Sequence, residues 1–232
     1  MDSNSNNFEI ALPGFRADRL PRTIADHTRR VYDRMAFLYP LSTYFNHSKA
    51  HKMAMELSGI ENGMRVLEVA TGSGEMFRRL VRRNPSGLTI GLDLSPNMAA
   101  RTQRMIRRRH PEARVACQAV DARHMPFRDG TFDALMCCYL FELLGHDDIA
   151  RTLREFHRVL CPGRRFTLVL IGQDSRAFNG MYHVAGSLVP AFWGRQVENF
   201  IPPMIEAAGF RIVADHRVRQ GYYPSRVLAM ER

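Results

Sequence analysis

The chain has 232 residues, 45% hydrophobic and 24% charged, which are the proportions of one globular domain and exclude a disordered or fibrous protein. No apolar run reaches the roughly 18–20 residues of a membrane-spanning helix, and the polar residues 1–7 lack a signal-peptide pattern, so a cytoplasmic protein is expected, at most peripheral at a membrane. The 33 Lys and Arg outnumber the 23 Asp and Glu to give +10, and all but Lys49 and Lys52 are arginines. That surplus suits an anionic membrane, an acidic substrate or nucleic acid, or it reflects an arginine-rich proteome. Basic residues are not interleaved with aromatics as in a nucleic-acid reader. Cys117, Cys137, Cys138 and Cys161 lack both disulfide-framework density and zinc-ligand spacing, so no metal site is expected.

Residues 1–60 carry helical pieces but no strand signal and are expected to form a helical extension over the active site. From residue 64 the pattern alternates. Residues 64–70 (MRVLEVA) predict a strand, followed by a glycine turn and a helix with Met76, Phe77, Leu80 and Val81 on one face. Residues 88–92 (LTIGL) predict the second strand. Ser95 as N-cap and Pro96 at the first helical position then predict a helix that turns Met98, Met105 and Ile106 inward. Residues 114–119 and 132–139 read as the third and fourth strands. A helix with Ile149, Leu153, Phe156 and Leu160 inward follows, ending at Cys161-Pro162-Gly163. His157 on that helix reads as a C-terminal cation favoured by the dipole.

Residues 165–171 predict the fifth strand. Residues 175–195 interrupt the alternation with an apolar segment (MYHVAGSLVPAFW within it), expected to cover a substrate or to pack on the sheet. A last helix carries Val197, Ile201, Met204, Ile205 and Ala208. Residues 211–216 and 227–231 then suit antiparallel strands joined through a segment with Gly221 and Pro224. Strands separated by helices imply right-handed crossovers and a sheet covered on both faces. The expected fold class is α/β: a doubly wound, mostly parallel seven-stranded sheet with an antiparallel C-terminal hairpin, built from residues 61–232.

In such sheets ligands bind beyond the carboxyl ends of the strands, where the strand order reverses. There stand Glu68, Val69, Ala70, Thr71, Gly72, Ser73 and Gly74. The two glycines let backbone approach a ligand, and the next helix offers free N–H groups. A dinucleotide fingerprint fails because Phe77 occupies the third glycine position, and no Gly-Lys-Ser/Thr follows to make a phosphate loop. What remains is Glu68 before the turn, Asp93 at the end of the second strand, 21 residues past Gly72, and Asp121 after the third. A carboxylate at Asp93 can accept both hydroxyls of a ribose. Three strand-end acids around a glycine turn suit a cationic, ribose-bearing ligand without phosphates. Asp93, followed by Ser-Pro, has no structural task visible in the sequence, whereas Asp121 could cap a turn and Met98 could be plain core.

Four stretches in the right order and spacing, VLEVATGSGE (66–75), IGLDLSPNM (90–98), VDARHMPFRDGTFDAL (120–135) and LREFHRVLCPGRRF (153–166), make the chain resemble class I S-adenosylmethionine-dependent methyltransferases over roughly residues 28–232. Ala70 before the turn and the run from Tyr32 to Tyr39 resemble the ubiquinone/menaquinone-biosynthesis branch, although Pro40 replaces that branch's usual acid. The resemblance implies S-adenosyl-L-methionine as cofactor. Gly72 and Gly74 then approach its methionine portion beside Glu68, Ala70 and Thr71, and Asp93 holds the ribose hydroxyls. Leu94 and Met98 pack the adenine, Asp121 with Ala122 recognises its amino group, and Cys138 and Tyr139 line the sulfonium side.

A sulfonium methyl is already a good electrophile, so the protein mainly supplies proximity and in-line orientation. Tyr39, Tyr139, Glu142 and His183 are the candidates for a general base, each with a structural alternative, and no catalytic residue is assigned. The expected acceptor is a small hydrophobic or amphiphilic molecule: a quinol, a phospholipid head group or an aromatic metabolite, with peripheral contact to an anionic membrane. Two other readings are a nucleic-acid methyltransferase and a non-catalytic S-adenosylmethionine-binding protein. The first lacks an Asn/Asp-Pro-Pro-Tyr/Phe motif after the fourth strand, and the second is opposed by an intact glycine turn.

Overall fold

The computed structural model describes residues 48–172, 197–219 and 224–232. Most of the N-terminal extension and the whole of 175–195 lie outside these residues. Helix α1 (Ser48–Leu57) precedes β1 (Arg65–Val69), α2 (Glu75–Arg83), β2 (Leu88–Asp93), α3 (Pro96–Arg109) and β3 (Arg114–Ala119). Then come β4 (Phe132–Cys138), a 3₁₀ turn (Phe141–Leu143), α4 (His146–Val159), β5 (Leu160–Ile171), α5 (Ile201–Ala207), β6 (Arg211–Val218) and β7 (Ser225–Glu231).

The seven strands form one sheet in the order β3-β2-β1-β4-β5-β7-β6. The first five run parallel, and β7 is antiparallel to both β5 and β6. Strand order reverses between β1 and β4, which opens a crevice at their carboxyl ends.

Side chains alternate across the sheet. Val66, Ala134, Met136, Val169 and Val227 face the apolar sides of α1 and α2. Leu67, Leu135, Cys137, Phe166, Leu168 and Leu228 face Ile149, Leu153 and Phe156 of α4 and Ile201 and Ile205 of α5. Phe77, Val81, Ile106 and Val115 knit α2 and α3 to the β3 edge. The expected cap is present: Ser95 Oγ accepts the Met98 N–H at 3.3 Å, with Pro96 in the first turn.

Two local expectations are corrected. The fourth helix ends at Val159, and Leu160 is the first residue of β5. Leu160 pairs with Phe132 and Arg165 with Ala134, so Cys161-Pro162-Gly163-Arg164 bulges out of the strand, with Gly163 at φ +70°. His157 is not a favoured cation. Burial, aided by the charge of Arg232, holds its pKa below the usual value, and its ring packs edge-on against Phe210.

Candidate active site

Beyond β1 the chain turns through Ala70–Gly74. The N–H groups of Ala70 and Thr71 both donate to the Leu92 carbonyl, at 2.8 and 3.1 Å, which ties the turn to the end of β2. Ala70 takes a left-handed φ of +66°, unusual for a residue with a side chain; Gly72 and Gly74 follow at +48° and +78°. Gly91 makes this packing possible, since a Cβ there would lie 2.6 Å from Thr71 Cγ2 and 2.9 Å from the Phe77 ring.

Gly72 and Gly74 separate strain from crowding. A Cβ on Gly72 meets nothing closer than the Ala70 carbonyl at 4.0 Å, whereas one on Gly74 falls 2.6 Å from Met105 Cε and 2.8 Å from Thr102 Oγ1. Gly72→Ala therefore loses about 1–2 kcal/mol from backbone strain alone. Gly74→Ala adds the displacement of α3 and loses on the order of 3 kcal/mol, a ranking that urea unfolding midpoints will check.

Asp93 has a structural task after all. Its Oδ2 accepts the Gly72 N–H at 2.8 Å and its Oδ1 the Ser95 N–H at 2.9 Å. One carboxylate thus links the glycine turn to the cap of α3. Glu68, on β1, is buried, and its Oε2 has no hydrogen-bond partner. Burial, reinforced by the nearby Asp93 charge, pushes its pKa well above the usual carboxylate range. The Thr71 hydroxyl is likewise buried and unpartnered.

A cleft opens over the ends of β1, β2 and β3. Of the predicted residues, Ala70, Asp93, Leu94, Asp121 and Ala122 line it. Leu92, Val120, Leu140 and Leu144 give it apolar walls, and Arg123 and Thr152 add polar ones. Sequence reasoning missed Arg123, although it stands two residues after Asp121. It binds Asp121 through Nη2 at 2.6 Å and Asp148 through Nη1 at 3.0 Å. Burial pushes Asp121 up, but the Arg123 hydrogen bonds outweigh it and hold the carboxyl below its ordinary value. Asp121 also caps a local turn by accepting the Arg123 N–H at 2.9 Å.

The other predicted residues lie off the cleft. Met98 is 1% exposed, buried beneath the first turn of α3. Glu68, Thr71, Gly72 and Gly74 build the turn behind the walls. Cys138 and Tyr139 pack instead with the cluster on the α1 side of the sheet. Tyr139, left-handed at φ +56°, places its hydroxyl 2.9 Å from Ser225 Oγ. Glu142 is buried in the 3₁₀ turn after β4, its Oε1 accepting the Ile171 N–H at 2.6 Å. Tyr39 and His183 lie outside the described residues. Among the described residues no group of His, Cys, Asp and Glu could hold a metal ion, and no helix is long and apolar enough to cross a membrane.

A methyltransferase-domain family matches residues 66–163. The demethylmenaquinone methyltransferase of Thermus thermophilus is 31% identical over 166 residues, covering 67% of this chain and 72% of that protein. This chain belongs to the class I S-adenosylmethionine-dependent methyltransferases. The 2-phytyl-1,4-naphtoquinone methyltransferase of Nostoc punctiforme is 29% identical over 168 residues, 68% of this methyltransferase and 72% of that one. Among solved structures, the [4+2]-cyclase SpnF superposes with TM-score 0.77 at 18% identity, covering 93% of this chain and 99% of its own. Magnesium protoporphyrin IX methyltransferase from Synechocystis, with bound SAH, gives 0.71 at 15%, covering 90% and 100%. These two likenesses show the fold; a cyclase on the same frame shows that fold alone does not carry the reaction.

The methyltransferase uses S-adenosylmethionine as methyl donor. Its site fits that molecule: apolar walls for a flat base, a carboxylate at the rim, and buried unpartnered oxygens of Glu68 and Thr71 at the turn. Two acids and no lysine at the turn suit a cationic ligand rather than a phosphate.

Proposed function

We propose that this methyltransferase methylates a quinol-type aromatic ring. The observation that carries this reading is the likeness, over two thirds of the chain, to enzymes named for naphthoquinone and menaquinone substrates. S-adenosylmethionine supplies an electrophilic methyl on a sulfonium, so the protein's work is orientation and exclusion of water.

In this reading Gly72, Gly74, Ala70 and Thr71 cradle the methionine portion, with Glu68 opposite its positive charge. Asp93, on the cleft wall, meets the ribose hydroxyls. Leu94, supported by the buried Met98, faces the adenine, while Ala122 and the Arg123-locked Asp121 meet its edge. The charge of +10 favours delivery of an apolar acceptor from an anionic bilayer.

The test is incubation with S-adenosylmethionine and reduced 2-phytyl-1,4-naphthoquinone. A product one methyl heavier, substituted on a ring carbon, is expected by mass spectrometry. A protein that binds S-adenosylhomocysteine and methylates a phospholipid head group or a simple phenol, but no quinol, overturns the reading.

A further inference from the structure

The segment that follows β3 is tied to α4 twice. Outside the cleft, Glu155 Oε2 accepts the Met125 N–H at 2.7 Å, and Arg158, paired with Glu155 at 2.6 Å, donates to the carbonyls of Met125 and Phe127. At the cleft the tie is a different one. Arg123 Nη1 donates to Asp148 Oδ1 at 3.0 Å, across 25 positions of the chain. Asp148 stands in the first turn of α4 and does not itself line the cleft. Arg123 does, with 12% of its side chain exposed.

The first tie already anchors the segment on α4, which leaves the second with another task. Its other end shows what that task is. Arg123 grips both oxygens of Asp121, with Nε 2.9 Å from Oδ1 and Nη2 2.6 Å from Oδ2. Such two-pronged pairing fixes the plane of a carboxylate as well as its place. Asp121 and Ala122 line the cleft from the β3 side, and Leu140, Leu144 and Thr152 line it from the side of β4 and α4. One guanidinium therefore joins the two sides while aiming the lone pairs of Asp121.

We propose that Arg123 and Asp148 are positioning residues for nucleobase selection: Asp148 holds Arg123, Arg123 holds Asp121, and the carboxylate so fixed selects a base with an amino group at its edge. The inference rests on the cofactor placement given above, with the base at Asp121 and Ala122, and not on the identity of the acceptor. An ionised carboxylate only accepts, so it takes an amino N–H and repels a carbonyl oxygen at the same position. Arg123 also guards that charge. Burial alone would push the Asp121 carboxyl up, and the Arg123 bonds, with smaller help from His124, keep it below its ordinary value. Arg123 and His124 from its own segment and, behind Arg123, Asp148 from α4 are the charged and titratable groups around it.

The experiment measures, by calorimetry, the affinity of wild type, D148A, D148N and R123Q for S-adenosylhomocysteine and for S-inosylhomocysteine, whose base carries a carbonyl where adenine has its amino group. Wild type is expected to prefer the adenine compound at least about 10-fold. D148A changes no residue that lines the cleft, yet it should shrink that preference about 3-fold or more, by weakening the adenine compound. D148N keeps an acceptor for Arg123 and restores most of the preference. In R123Q the preference shrinks further as pH falls from about 7 to about 5, because the buried Asp121 takes up a proton and can then donate to the carbonyl; in wild type it holds over that range. Equal losses for both compounds in D148A reveal a merely structural tie and overturn the proposal. An unchanged preference in D148A, or a preference in R123Q that ignores pH, overturns it too. Wild type that binds both compounds alike overturns the placement of the base at Asp121, and wild type that binds neither overturns the cofactor site as a whole; the proposal falls with either.

Discussion

An Asp93→Ala protein is expected to bind S-adenosylhomocysteine at least about 100-fold more weakly than wild type, and also to unfold at lower urea. The size follows from the two jobs of one carboxylate. It accepts the Gly72 and Ser95 N–H groups at 2.8 and 2.9 Å, each a bond to a charged acceptor worth about 1.5–3 kcal/mol. Losing both frees the turn from the cap of α3, and the cofactor must then order the backbone that should receive it. Asp93→Asn keeps the shape and at least one acceptor. It should therefore recover most of the stability while remaining well below wild type in affinity. Calorimetry with parallel urea titrations separates the two effects. Undiminished affinity in Asp93→Ala would place the cofactor away from this turn.

Glu142→Gln is expected to remove about 3 kcal/mol of pH dependence from stability. The folded protein holds the Glu142 proton up to about pH 7, against an ordinary 4.5, because the carboxyl is buried. Between those values the native state carries a proton that the unfolded chain has released. Its contribution is therefore fully present below about pH 4.5 and lost as pH rises to about 7. Glu68 acts with the same sign in both proteins and cancels from their difference. Asp121, Asp133, Glu155 and Asp215 are held below their ordinary values and act oppositely, losing their contribution only as the solution turns strongly acid. The stability difference between variant and wild type, followed by urea unfolding across this range, should move steadily in favour of Gln as pH rises. A flat difference would show that the carboxyl reaches water.

The strands were legible because a parallel sheet buries both faces, so that LTIGL and FDALMCC read as nearly continuous apolar runs. Ser95-Pro96 was equally plain, since a cap is written in adjacent residues. What escaped was non-local. The bond from Asp93 to Gly72 spans 21 positions and depends on β1 and β2 lying side by side. Arg123 is held at the cleft by Asp121 and also by Asp148, which α4 brings to it across 25 positions. The proton on Glu142 is a product of burial, which no residue spacing reveals. The early start of β5 was hidden by Cys-Pro-Gly, a sequence that ends helices but here bulges from a strand whose pairing resumes at Arg165. The position of the cofactor turn was therefore readable, and the polar wiring that holds it was not.

The place of β7 has a consequence for biosynthesis. It follows β6 in the chain yet lies between β5 and β6, with Arg165 and Arg211 both opposite Glu231. As the polypeptide leaves the ribosome, β6 emerges with no neighbour to pair with, and β5 waits some sixty residues for its outer partner. The five parallel strands can assemble early, but the sheet closes only when 225–231 slides in and is hydrogen-bonded along both edges at once. Until then the outer edge of β5 lies open, and a nascent chain stalled before this step offers it for pairing with other chains.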